Sequence, residues 1–233
     1  MTENNKALLF QKEFYSKSNR LNLADLESGA HFLEAKCFLK KINPGYFCEV
    51  GCATAPLSRY LKNRGWICCG FDISNAIYTA KKNGINVCEC DLATTWPIKA
   101  NKFDVIFLGE IIEHILDTDF VICESWRILK NNGSLILSTP NLVSLENRIR
   151  SVFGYHPRFM DFRLSDNSIG HCRYYTITKL ITQLKENGFE ILSAKTINAS
   201  LMTKKREIKL PGFFNKIGLG TNIFVIAKAL KNK

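Results

Sequence analysis

Several apolar runs in this chain end in a carboxylate, and two of those acids are linked by their spacing. Phe47-Cys48-Glu49-Val50-Gly51-Cys52-Ala53-Thr54-Ala55-Pro56 runs out through an acid, a glycine and small residues, and Gly70-Phe71-Asp72-Ile73-Ser74 sets a second acid 21 residues after Gly51. At that separation a strand–helix–strand unit brings an acid beside the ribose of a nucleotide held over the first turn. Cys88-Glu89-Cys90-Asp91-Leu92 ends another run in Asp91, and Phe103-Asp104-Val105-Ile106-Phe107-Leu108-Gly109-Glu110 ends the next at a glycine and an acid. Acids along one sheet edge can hold ribose hydroxyls and, at Asp91, read an adenine amino group.

Two further clusters carry groups able to move a proton or hold a cation. Glu110-Ile111-Ile112-Glu113-His114 follows a strand end and is expected to open a helical turn. That turn puts Glu110, Glu113 and His114 at i, i+3 and i+4 on one face, where they can bind a divalent ion. The plainer reading is that Glu110 lines the ligand edge while Glu113 and His114 bond locally. Downstream, Gly170-His171-Cys172-Arg173-Tyr174-Tyr175-Thr176 precedes a helical pattern. Here His171 is a candidate fourth ligand or general base, or else a helix-entry residue, and Arg173 can pair with an anionic part of a substrate.

The elements that must position these groups alternate. A leading helix is expected over 21–42 from Leu23, Leu26, Ala30, Leu33, Cys37 and Leu39, closed by Asn43-Pro44-Gly45. Strands are expected at 46–50, 66–72, 86–91, 103–108 and 134–139. Helices are expected at 55–64, with Pro56 in the first turn, at 74–83, and at 118–130, stopped by Asn131-Asn132-Gly133. Such alternation means an α/β fold with a doubly wound, mostly parallel sheet. Residues 141–175 lack a clean period and read as an insertion or lid. A helix at 176–187, a strand at 189–195 and a last strand at 221–229 follow. The organisation is a helical cap over 1–43 and one domain over 44–233.

At 233 residues, 46% hydrophobic and 23% charged, the chain is long and apolar enough for one sizeable core. No stretch reaches the ~18 uninterrupted apolar residues of a membrane helix. Met1-Thr2-Glu3-Asn4-Asn5-Lys6 carries no apolar signal core, so a cytoplasmic location is expected. Nine cysteines without a C-x-x-C pair read as reduced, buried small hydrophobes rather than a zinc cluster. The net charge of +11 is concentrated late: from Ser200 on, eight lysines and arginines face Glu207 alone. That face is either solvated or suited to anionic lipid or nucleic acid. Leu210, Phe213 and Phe214 among these lysines suggest peripheral contact with an anionic membrane, unless the two phenylalanines close the core.

The glycine turn discriminates between nucleotide ligands. A dinucleotide needs G-x-G-x-x-G for close approach of its pyrophosphate, and here only Gly51 is a glycine. S-adenosylmethionine has no phosphate and needs less clearance. On these residues the chain resembles the class I S-adenosylmethionine-dependent methyltransferases over about 45–229. Glu49 through Thr54 is similar to their glycine-loop motif, Asp72 to the ribose acid, and Asp91-Leu92 to the adenine-side pair. Ser138-Thr139-Pro140-Asn141 and Gly188-Phe189 are similar to their late motifs. Ala53 stands where the family carries its second glycine. The resemblance implies a seven-stranded sheet whose last strand is antiparallel, and a cofactor site of Glu49, Gly51, Cys52, Ala53, Asp72, Ile73, Asp91, Leu92, Gly109 and Glu110.

Glu110-x-x-Glu113-His114 also resembles a motif of ubiquinone-biosynthesis O-methyltransferases and of small-RNA 3′-terminal 2′-O-methyltransferases. In the RNA enzymes a further histidine, matched by His171, completes a two-Glu, two-His metal site. Pro140-Asn141-Leu142, Asn147-Arg148, Gly154-Tyr155-His156-Pro157 and the His171 segment are more similar to a broad small-molecule subgroup. The expectation is O-methylation of a small quinone-like, sugar- or lipid-linked acceptor, with His114 and His171 as catalytic candidates and a divalent metal on Glu110, Glu113, His114 and His171. An RNA ribose methyltransferase is the alternative, weakened by the lack of an attached RNA-binding module, and a non-enzymatic partner protein is a third reading.

Overall fold

A computed structural model describes residues 29–161, 170–202 and 206–231. The leading part of the expected cap, with Leu23 and Leu26, lies outside the described residues, as do Lys204, Lys205 and Lys233 of the basic tail. In chain order the elements are α1 (Ala30–Leu39), β1 (Tyr46–Val50), α2 (Pro56–Lys62), β2 (Ile67–Asp72), α3 (Ile77–Lys82), β3 (Asn86–Glu89) and β4 (Phe103–Gly109). A 3-10 turn at Ile112–His114 leads to α4 (Thr118–Ile128), β5 (Leu129–Pro140), α5 (Leu145–Val152) and α6 (Ile177–Glu186). The chain ends with β6 (Phe189–Ile197), β7 (Ser200–Met202), β8 (Glu207–Lys209), α7 (Phe213–Lys216) and β9 (Asn222–Ala229).

Seven strands form one sheet in the order β3-β2-β1-β4-β5-β9-β6, and β7 pairs with β8 in a separate hairpin. Strands β1 to β5 pair in parallel, and β9 runs antiparallel between β5 and β6. The chain reverses its direction across the sheet between β1 and β4. There the crevice beyond the strands' carboxyl ends opens for a ligand.

Strand pleating sends alternate residues to two cores. Phe47 faces Phe32, Ala35 and Leu39 of α1 and Leu57 and Leu61 of α2, with Val105, Phe107, Ile136 and Phe224 from the neighbouring strands. Cys48 and Val50 face the other side with Ile106, Leu108, Leu135, Leu137 and Val225, covered by Val121 and Ile122 of α4 and Leu180 and Leu184 of α6. Burying each large side chain contributes roughly 1.5–3 kcal/mol, so both layers fix the sheet edge that carries the site. All nine cysteines are free, four of them buried. Burial pushes the Cys48 and Cys52 thiols well up, which keeps them protonated and unreactive.

Several boundaries depart from the sequence expectation, two of them by a local cause. The helix expected to reach Lys130 stops at Ile128, because Leu129 turns extended, pairs with Phe103 and is fully buried. The helix expected from Ser74 starts at Ile77, because the residues before it close i+3 turns, with the Ile77 amide on the Ser74 carbonyl and the Tyr78 amide on the Asn75 carbonyl. The β7–β8 hairpin was not expected at all. Of the expected insertion, Asn141 and Tyr175 form a parallel bridge across its base, and α5 lies within it. Among the described residues no helix is long and apolar enough to cross a membrane.

Candidate cofactor and acceptor cavity

A cavity of about 590 Å³ opens at the carboxyl ends of β1, β2 and β4. Its wall includes every residue expected at the cofactor site: Glu49, Gly51, Cys52, Ala53, Asp72, Ile73, Asp91, Leu92, Gly109 and Glu110.

The turn after β1 is shaped by three left-handed residues, Gly51 (φ 67°), Ala53 (φ 45°) and Ala55 (φ 53°). A side chain at Gly51 would collide with Ile111. Ala53 keeps the left-handed backbone of the glycine it replaces, at a cost of roughly 1–2 kcal/mol. Its amide donates to Asp72 Oδ2 at 2.7 Å, while Asp72 Oδ1 accepts the Ser74 amide at 2.7 Å. One carboxylate thus ties the β1 turn to the β2 turn, and each oxygen still has a lone pair for a hydroxyl.

Glu49 has a more structural part than expected. Although it lines the cavity, its oxygens accept the amides of Leu57 (3.3 Å) and Ser58 (2.7 Å) at the start of α2. Ala55, at the cap position, has no side-chain acceptor, so Glu49 from β1 caps the helix in its place. Burial raises its carboxyl to about 7, against the Ser58 bonds that lower it.

The adenine-side turn is riveted from behind. Asp91 Oδ1 accepts the Ala93 amide at 2.9 Å, and Trp96 Nε1 donates to the Leu92 carbonyl at 3.2 Å. The Trp96 amide bonds Glu124, which pairs with Arg127, and Arg127 reaches the Ile98 and Trp96 carbonyls. Trp96 is 1% exposed, so the turn bearing Asp91 and Leu92 rests on a packed, bonded floor.

The Glu110–His114 segment corrects the expected shared helical face. Glu110 has φ 55° and only Ile112–His114 forms a 3-10 turn, so the carboxylates diverge. Glu110 accepts from Ser138 Oγ (2.7 Å) and Asn222 Nδ2 (2.8 Å), which anchors it to β5 and β9. Glu113 is 1% exposed and accepts from Thr139 Oγ1 at 2.9 Å, while its second oxygen has no hydrogen-bond partner. Burial raises both carboxyls, and the charge of Glu110 adds to the rise at Glu113.

His171 Nε2 lies 3.9 Å from the unpartnered Glu113 Oε1, and the His114 and His171 rings meet edge to face at 4.7 Å. Ligand-capable atoms of Glu113, His114 and His171 fall within 4.8 Å of one another. Glu110 is outside this group. The Nδ1 atoms of His114 and His171 donate to the carbonyls of Gly170 (3.1 Å) and Phe159 (2.8 Å), which sets the tautomers. Burial lowers His114 to about 4, helped by His171, and also lowers His171.

The two histidines differ in access. His114 lines the large cavity, whereas His171 faces a small separate cavity with Arg158, Phe159 and Arg173. His171 therefore supports Glu113 and His114 from behind. The amides of Cys172 and Arg173 donate to the Glu113 carbonyl at 2.8 and 3.0 Å, locking the segments together. The Arg173 guanidinium grips the Leu116 carbonyl, a structural use in place of the expected acceptor contact.

His31 escaped the sequence reading. It enters the cavity wall from the first turn of α1 and stacks on Phe107, ring centres 6.3 Å apart, and burial lowers it to about 4. A lone histidine in a helical pattern carries no spacing signal that marks it.

Comparison with known proteins agrees with this geometry. The family described as methyltransferase domain matches residues 25–194. The ubiquinone biosynthesis O-methyltransferase of Pelagibacter ubique is 36% identical over 192 residues, covering 79% of this chain and 74% of that protein. The Coxiella burnetii protein of the same name is 31% identical over 100 residues, 40% of this chain and 42% of its own length. Among solved structures, an S-adenosylmethionine-dependent methyltransferase from Thermotoga maritima superposes with a TM-score of 0.64 at 19% identity, covering 94% of this chain and 99% of that one. One from Mesorhizobium loti does so at 0.62 and 14% identity, covering 87% and 99%. The matched domain and the full-domain relative place the chain in the S-adenosylmethionine-dependent methyltransferase family, as an enzyme of that class.

Proposed function

We propose that the enzyme methylates a hydroxyl oxygen of a small acceptor, quinone-like or carried on a sugar or lipid. The observation that carries this reading is the pairing of ribose- and adenine-side acids at one part of the cavity with the neutral imidazole of His114 at another. Bound S-adenosylmethionine supplies an already activated methyl group. The chain's own groups then have to align the acceptor and take its proton. On this reading Asp72 accepts the ribose hydroxyls, Asp91 and Leu92 frame the adenine, Gly51 and Gly109 leave clearance, and Glu110 with Ser138 and Asn222 forms a fixed polar edge. His114, protonated on Nδ1, offers Nε2 as the proton acceptor. The relatives named for O-methylation support an oxygen nucleophile.

A divalent cation is a second component of the reading. The donor set fits, because Glu113 carries a buried oxygen without a hydrogen-bond partner beside two imidazoles fixed by carbonyls. Glu113, His114 and His171 would hold the ion; His114 would then give Nε2 to the ion, whose lowering of the acceptor hydroxyl's pKa would take the place of proton removal by the imidazole. The RNA reading finds no support among the relatives. A panel of catechols, quinols and sugar hydroxyls, incubated with labelled cofactor with and without chelator, tests both parts. Methyl ethers that form at a lower rate after chelation, restored by divalent metal, are the expected result. Transfer only to amines would overturn the oxygen assignment, and transfer indifferent to chelation the metal.

A further inference from the structure

The large cavity follows the sheet order β3-β2-β1-β4, with Asp91 just past β3, Asp72 at the end of β2 and Gly51 after β1. On the cofactor reading given above, on which this inference rests, adenine and ribose occupy that side. The amino-acid end of the ligand then points towards β4, where His31, Phe107, Gly109 and Glu110 line the wall. That end carries an ammonium and a carboxylate, which need partners of opposite kind.

The wall is rich in acids and poor in cations. Glu49, Asp72, Asp91 and Glu110 line it, and among the described residues no lysine or arginine does. The amides at the start of α2 are already taken by the Glu49 carboxylate. Two imidazoles remain. His114 has its Nδ1 committed to the Gly170 carbonyl and is assigned to the acceptor. His31 meets Phe32 and Phe107 through its ring, and among the described residues its nitrogens make no hydrogen bond. A Cβ built on Gly109 would lie 3.4 Å from His31 Cδ2, so the ring stands at the very end of β4.

We propose that His31 holds the carboxylate of the cofactor's amino-acid end as an imidazolium, so that cofactor capture takes up a proton from solvent. An arginine here would be charged at every working pH, and capture would not depend on it. A histidine has to be charged by its ligand. Burial holds the ligand-free imidazole near 4, and a carboxylate in contact raises that value. Between the two values the bound form carries more protons than the free form. Affinity therefore rises as pH falls, by up to about tenfold per pH unit in that window.

The other titratable groups on this wall act differently. Glu49 and Glu110 titrate near 7 and lose protons to a cationic ligand, which is the opposite sign. Asp72 and Asp91 stand further along the edge, and burial keeps the His114 imidazole and the Cys52 thiol in their neutral forms. On α1 itself, Glu34 is paired with Lys195. The contribution of His31 is thus a difference between two ligands and between two proteins.

The test is calorimetric titration of the full chain with S-adenosylhomocysteine and with its decarboxylated analogue, which keeps the amine. Titrations between about pH 6 and 8, in buffers of different ionisation heat, count the protons exchanged. Wild type should prefer S-adenosylhomocysteine by about tenfold or more, increasingly as pH falls, and should take up as much as about one proton more with it than with the analogue. His31→Gln should lose most of that preference and the extra proton, while binding the analogue as wild type does. His31→Arg should keep the preference and lose its pH dependence. A preference unchanged in His31→Gln, or equal proton uptake with both ligands in wild type, would overturn the proposal. So would loss of the analogue by both variants, which would mean that the ring only shapes the wall. Failure of wild type to bind either ligand would bring down the cofactor reading itself, and this inference with it.

Discussion

The amide of Ala53 donates to Asp72 Oδ2 at 2.7 Å across two successive strand ends. This bond makes the acid that reads the ligand also the clasp that shapes the turn beneath it. Loss of Asp72 should therefore disturb both the ligand's contacts and the ligand-free loop. Asp72→Asn, which keeps one acceptor oxygen, should lower affinity for the demethylated cofactor by about tenfold or more, since hydrogen bonds to a charged group are worth roughly 1.5–3 kcal/mol. Its melting temperature should fall less than that of Asp72→Ala. Calorimetry and thermal unfolding of the two variants check this ordering.

Ala53 sits at φ 45°, where glycine is at ease. Ala53→Gly removes the left-handed penalty and adds unfolded-chain entropy, so stability should change by about 1 kcal/mol or less, with cofactor affinity kept. Ala53→Val should cost clearly more and weaken cofactor binding. Denaturant unfolding of both variants distinguishes them; equal behaviour would mean the backbone angle does not matter.

Glu49 imposes a pH dependence on the ligand-free protein. Its carboxyl titrates near 7 when folded and near 4.5 in the reference state. Between those values the folded form holds more protons, so the stability this group contributes is complete below about 4.5 and is lost as pH rises through about 7. Glu49→Gln should flatten this part of the stability–pH curve by on the order of 2–3 kcal/mol between pH 5 and 8. Urea unfolding at several pH values measures the slope. An unchanged slope would place the Glu49 titration elsewhere.

His31 and His114 should separate by kinetics. His114→Ala should cut the rate of transfer at saturating substrates while leaving cofactor binding nearly intact, because the imidazole is assigned to the acceptor's proton. His31→Ala, which removes a ring packed on Phe107 beside Gly109, should instead weaken cofactor binding several-fold. Reversed effects would exchange the two assignments.

The parallel strands were legible because each is a short apolar run bounded by turn residues, and the acids at their ends follow from spacing. The cavity wall could be anticipated for the same reason: Gly51, Asp72 and Asp91 sit at positions that the strand ends dictate. Glu110 lines the cavity as expected, but the face it was to share with Glu113 and His114 fails, because helical spacing does not hold through a residue of positive φ, one anchored by Ser138 and Asn222 far along the chain. Spacing leaves His171 open as a fourth ligand, a base or a helix-entry residue, because its place beside Glu113 depends on how the insertion folds over β5. The outward apolar face of α5 has a clean helical period, and periodicity alone does not tell which side meets the core.

The most direct check of the central claim is calorimetric titration of the wild-type chain with S-adenosylhomocysteine, alongside Asp72→Ala. One-to-one binding in the wild type, lost or weakened by about a hundredfold in the variant, is the predicted result. Absence of binding in a folded wild-type protein, or equal affinity in both, would contradict the placement of adenosine across the ends of β1, β2 and β3.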